Sequence, residues 1–121
     1  MPDSANTTDT LVASWLTLPE LADRLGIDVS RARQLVRDRQ VLAVRRGPNN
    51  ALMVPERFVQ GGQVLKGLPG TLVLLADARY SDDVALQWLF TPDESLPGSP
   101  VDALAENRGT EIKRRAQALG F

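Results

Sequence analysis

Histidine and cysteine are both absent from this chain. Without Cys there are no disulfides and no thiol nucleophile. Without His, most zinc sites, imidazole acid–base chemistry and the hydrolase triads fall away. Aromatic residues are sparse at 5%. No apolar run approaches the ~18 residues of a membrane span, and the opening stretch MPDSANTTDT lacks the basic and apolar parts of a signal peptide. The expectation is a cytoplasmic protein, nucleoid-associated if it binds DNA, with no membrane contact, no metal, no cofactor and no catalytic residue. Carboxylate chemistry is the surviving enzymatic option. Its candidates are the paired acids Asp82-Asp83 and Asp93-Glu94, which helix capping and solubility explain as well.

What is present is ordinary in amount and uneven in placement. The 121 residues are 43% hydrophobic and 24% charged, enough for one domain, or one small domain plus an appendage, with a real core. The net charge of −1 conceals three blocks. Residues 1–28 sum to −4, residues 29–66 to +6 and residues 67–121 to −3. Seven of the eight central bases are Arg, whose forked guanidinium suits phosphate and guanine. A local cationic field steers a polyanion even when the whole molecule is slightly acidic.

The chain divides into three expected parts. Residues 1–14 are polar and aperiodic and read as a flexible tail, with Thr7, Thr8 and Thr10 beside Asp9 as candidate phosphoacceptors. Residues 15–66 carry the signals of two short helices and a hairpin. Thr17-Leu18-Pro19-Glu20 is a capping box, and Leu18, Leu21, Ala22 and Leu25 follow at helical spacing until Gly26 stops them. A second helix is expected after Asp28, which can cap it, or after Ser30, running to about Arg39 with Val29, Ala32, Leu35 and Val36 inward. Val41 to Arg46 and Ala51 to Val54 read as two strands around the turn Gly47-Pro48-Asn49-Asn50. Pro55 to Phe58 can form one helical turn, and Gln60 to Gln63 reads as a loop. Residues 67–121 read as helical: one helix from Pro69, one capped by Ser81, and a final one from Ser99-Pro100 to Gly120.

This order defines the expected fold: mostly α with a small β-hairpin, a winged helix-turn-helix followed by a C-terminal helical bundle. In such a fold the second helix enters the major groove. Its outward residues include Arg31, Arg33, Gln34 and Arg37, and Ser30 lies at its N-terminus, where backbone amides favour phosphate. Arg45, Arg46, Asn49 and Asn50 would form a basic wing touching backbone or minor groove, and Lys66, beyond it, would touch phosphate. The expected partner is double-stranded DNA. A small α+β core with a solvated Arg face accounts for the same residues without a partner.

Two resemblances sharpen this reading. The stretch from T-L-P-E-L-A-D-R-L-G-I through V-R-D-R-Q-V-L-A-V-R-R-G resembles the winged helices of MerR- and excisionase-type proteins. The segments L-A-V-R-R, G-Q-V-L-K-G-L-P-G-T-L, W-L-F-T-P-D, P-V-D-A-L and R-R-A-Q-A-L-G-F resemble a small actinobacterial family of winged-helix DNA-binding proteins. That family includes a mycobacterial protein associated with Ser/Thr kinase signalling. The resemblance spans about residues 15–121. It implies sequence-specific duplex DNA binding and transcriptional regulation without enzymatic activity, with a Ser/Thr kinase as a candidate partner. The short tail matches no family motif. W-L-F-T-P-D and L-P-G-S-P-V-D-A-L are also similar to the toxin-binding segment of Xre-type antitoxins. That implies an alternative, an antitoxin-like or other protein-interaction module acting through the C-terminal helices, which would dimerise or mask a toxin partner.

Overall fold

The computed structural model describes residues 11–120. Strand β1 (Trp15–Thr17) leads straight into helix α1 (Leu18–Leu25). The capping box forms as expected: the Thr17 hydroxyl accepts from the Glu20 amide at 3.3 Å, and the Glu20 carboxylate accepts from the Thr17 amide at 2.8 Å. Gly26 ends α1 at φ 68°, where a side chain would be strained, and its N–H reaches back to the Ala22 and Asp23 carbonyls. Two residues later Asp28 caps helix α2 (Val29–Arg37) by accepting from the Arg31 amide at 2.8 Å. Ala32, fully buried, lies on the inner face of α2, which packs against α1; a small residue there permits close approach.

Helix α2 stops two residues before the expected Arg39. That residue adopts φ 56°, and the Gln40 amide then bonds the Leu35 carbonyl at 2.9 Å, closing the helix end. The expected strand from Val41 shrinks to β2 (Val44–Arg46). Val41 and Leu42 are buried but irregular, because they fill the core instead of pairing. Strand β3 (Ala51–Pro55) pairs antiparallel with β2, setting Arg45 opposite Leu52. Its other edge takes β1, with Leu16 opposite Val54, so the sheet order is β1-β3-β2. This third strand is not an expectation of the sequence: three residues are too few to show alternation, and the partner lies far along the chain.

A 3₁₀ turn (Glu56–Phe58) leads to strands β4 (Val59–Gln60) and β5 (Gln63–Val64). The expected loop at 60–63 is a tight hairpin. Gly61 and Gly62 both take positive φ, as a two-residue turn matching strand twist requires. Helices α3 (Leu68–Asp77) and α4 (Asp82–Phe90) follow. The expected single terminal helix is two, α5 (Pro100–Ala105) and α6 (Gly109–Ala118). Asn107 at φ 65° breaks it, and the Arg108 amide returns to the Ala103 carbonyl at 3.0 Å.

Packing does not respect the expected boundaries. Val12 is only 3% exposed and the Ser14 carbonyl accepts from the Glu56 amide, so the chain joins the core before residue 15. Buried residues from Val12 to Ala116 form a cluster that crosses residue 66. Phe58 and Phe90 meet at 5.7 Å between ring centres. Arg57 pairs with Asp102 at 2.5 Å, and Arg39 with Asp82 at 3.2 Å. The N-terminal and C-terminal stretches are lobes on a shared core.

Four carboxyls are held below their ordinary range. The Thr17 amide lowers Glu20, the Ser95 hydroxyl lowers Asp93, and the Arg115 guanidinium lowers Glu111. Burial pushes Asp102 up, but the Ser99 amide, Arg57 and the Ser99 hydroxyl outweigh it. A lowered carboxyl stabilises the fold while ionised, and that contribution is lost as pH falls from about 4 through the depressed values. The melting temperature should therefore hold between about pH 7 and 5 and drop below about pH 4. Asp102→Asn should make that acid limb shallower. A melting temperature independent of pH down to about 2.5 would contradict the assignment.

Candidate nucleic-acid interface

Helix α2 presents Ser30, Arg31, Arg33, Gln34 and Arg37 to solvent. At 3.6 residues per turn Ser30, Gln34 and Arg37 share one face, with Arg31 and Arg33 on its two flanks. Other arginines are tied to acids: Arg24 to Glu56, Arg39 to Asp82, Arg57 to Asp102, and Arg108 and Arg115 to Glu111. Among the described residues, Arg31, Arg33 and Arg37 have no carboxylate within ion-pair distance. Their charge is available to an incoming anion.

The wing adds a second cationic element. Its four-residue tip, Gly47 to Asn50, is exposed and closed by the Asn50 amide on the Gly47 carbonyl at 3.0 Å. Asn50 takes φ 52°, and Arg45 donates to its carbonyl at 3.0 Å, stiffening the tip. A hollow of about 290 Å³ joins wing to helix, with Arg33 on one wall, Arg45, Asn49 and Asn50 on another, and the start of α1 at Thr17–Pro19 as a third. Arg33 and Arg45 thus line one recess, the arrangement a backbone phosphate needs.

Not every expected residue joins this surface. Arg46 alternates to the other side of β2 from Arg45, and its guanidinium lies 4.3 Å from the centre of the Trp15 ring. Lys66 is exposed, between β5 and α3, outside the recess. The α2 N-terminus beside Ser30 already has an acid, since Asp28 takes the Arg31 amide. The Gln34 amide donates to Asp38 at 2.9 Å. Thr7, Thr8 and Thr10 lie outside the described residues. Thr17 to Pro19 were not foreseen as part of the recess, because β1 pairing, which no local pattern announces, brings them there.

Asp82 and Asp83 sit in the first turn of α4, where the helix dipole favours them, and Asp93 is held by Ser95. Among the described residues no group of acids is arranged to hold a metal ion, and no helix is long and apolar enough to cross a membrane.

Two crossed helices joined by a three-residue turn, followed by a β-wing beside the second helix, define a winged helix-turn-helix protein. Residues 5–59 match a family model described as the wHTH domain of the DNA-binding protein Rv2175c, and residues 65–120 match the Rv2175c C-terminal domain of unknown function. The chain belongs to the Rv2175c family. It is similar to the DNA-binding protein Rv2175c of Mycobacterium tuberculosis (strain ATCC 25618 / H37Rv), at 41% identity over 117 residues, covering 86% of this chain and 79% of that one. The NMR structure of Rv2175c superimposes with a TM-score of 0.78 at 38% identity, covering 89% of this chain and 82% of that chain. The C-terminal half, compared above with antitoxin segments, thus matches a model of the same family as the winged helix.

Proposed function

We propose that this chain is a sequence-specific duplex DNA-binding protein and transcriptional regulator without enzymatic activity. The observation that carries the reading is the acid-free guanidinium row of α2 beside the recess that Arg33 and Arg45 share. Arg31, Gln34 and Arg37 reach base edges in the major groove, Arg33 and Arg45 hold the backbone, and Asn49 and Asn50 follow the adjoining minor groove. Ser30 shares the α2 face of Gln34 and Arg37, while Arg46 and Lys66 lie outside the recess. The place of action is the cytoplasm, at the nucleoid.

Selection of bound oligonucleotides from a random duplex pool, followed by anisotropy titration, tests the reading. Arg31→Ala or Arg37→Ala should weaken the selected site by ~1–3 kcal/mol and relax base preference. With four to six phosphates neutralised, log K should fall against log salt with a slope of roughly −4 to −5. Variants that bind as tightly as wild type would remove the proposal.

Two protein partners complete the reading. A Ser/Thr kinase acting on Thr7, Thr8 or Thr10 would add about −2 of charge to an acidic tail and weaken DNA binding. The same titration on stoichiometrically phosphorylated protein tests this, and unchanged affinity removes it. The C-terminal helices carry self-association, which lets two winged helices read two half-sites.

A further inference from the structure

We propose that the groove between α4 and the end of α6 is the docking site for a second copy of this chain, related to the first by a two-fold axis. The inference rests on the self-association part of the reading above and is independent of DNA. The groove has a volume of about 520 Å³. Val84, Trp88, Leu96 and Leu119 supply its apolar lining, and Val84 is 42% exposed.

The charges identify the occupant. Asp93 and Arg115 also line the groove and lie 3.9 Å apart, with side chains 52% and 34% exposed. Ser95 engages one Asp93 oxygen through its amide and hydroxyl, and the other oxygen is the one facing Arg115. The Arg115 guanidinium takes Glu111 at 3.0 Å through one nitrogen and faces Asp93 with the other. The loose 3.9 Å pair is therefore the exchangeable one. A strongly acidic partner would meet Asp93, and a strongly basic one Arg115. A second copy turned by 180° brings its own Arg115 to Asp93 and its own Asp93 to Arg115, and it sets its exposed, groove-lining Val84 against the apolar lining of the first. Such self-complementarity is what an isologous contact demands.

A groove of this size gives a small interface, so association should be weak, reversible and reduced by salt. It also has a geometric consequence. The first turn of α4 holds Arg39, just past α2, through Asp82. A contact across α4 therefore fixes the two recognition helices relative to each other.

The test is sedimentation equilibrium on the full chain over a concentration series at low salt. The mass should rise from 13.2 kDa toward twice that value. Asp93→Arg and Arg115→Asp should each raise the dissociation constant at least about ten-fold, since like charges then face each other across the axis. An equimolar mixture of the two variants should regain the wild-type constant as a heterodimer, because an all-basic groove then meets an all-acidic one. Loss of folding cannot mimic that rescue. If either variant fails to fold, Val84→Glu at its exposed position should abolish association with the melting curve unchanged. A wild-type mass fixed at 13.2 kDa throughout would overturn the proposal and assign the groove to a different protein or a small ligand. A mixture no better than the single variants would overturn it too. DNA anisotropy on the same samples is a separate readout, so loss of DNA binding with intact association would sink the regulatory reading and leave this one standing.

Discussion

Phe58→Ala is expected to destabilise the whole protein by ~3–5 kcal/mol, through lost burial and the cavity left behind. The side chain is fully buried and meets the Phe90 ring at 5.7 Å, so the deletion opens the seam between the lobes. For a domain with a total stability of roughly 5–15 kcal/mol this is a large share, and the melting temperature should fall by about 10–25 °C. Trp15 reports on the wing and Trp88 on the C-terminal helices. In single-Trp variants the two signals should melt together, in wild-type and Phe58→Ala backgrounds alike. Phe58→Leu, which keeps most of the volume, should cost about 1.5 kcal/mol or less. A fragment ending at residue 66 should not fold, because Phe58 and Leu65 would lose their C-terminal cover. Two resolved transitions, or a folded fragment, would show that the lobes are independent.

The second large effect concerns DNA. Arg33→Ala combined with Arg45→Ala removes both guanidinium groups of the recess between helix and wing. If each neutralises one phosphate, the salt slope should become shallower by about 2, and affinity should fall roughly ten- to hundred-fold at moderate salt. The loss should be the same for every DNA sequence, since backbone contacts position without specifying. Arg46→Ala is the internal comparison. Its guanidinium stacks on Trp15, so its removal should lower stability more than affinity. A double variant with an unchanged salt slope would mean that no phosphate occupies the recess.

Local chemistry made much of this molecule readable in advance. Capping at Thr17, Asp28, Ser81 and Ser99 depends on neighbours within three residues, so the helix starts are legible. The stop at Gly26 and the exposure of Arg31, Arg33 and Arg37 follow from a left-handed cap and from helical periodicity. Errors collect where a distant partner intervenes. The strand expected at 41–46 loses half its length because Val41 and Leu42 are more stable buried than paired. The terminal helix breaks because Asn107 accepts a left-handed conformation, which its sequence permits without announcing.

The sequence by itself therefore determined where most helices start, their caps and the concentration of positive charge on one helix and one strand, because all of these act over a few residues. The tertiary structure alone decided that β1 completes the sheet, that Arg45 shares a recess with Arg33 while Arg46 stacks on Trp15, and that Phe58 bridges two lobes. Those outcomes are set by pairings across tens of residues. No local preference encodes them; they follow from which arrangement buries the most apolar surface with its polar groups satisfied.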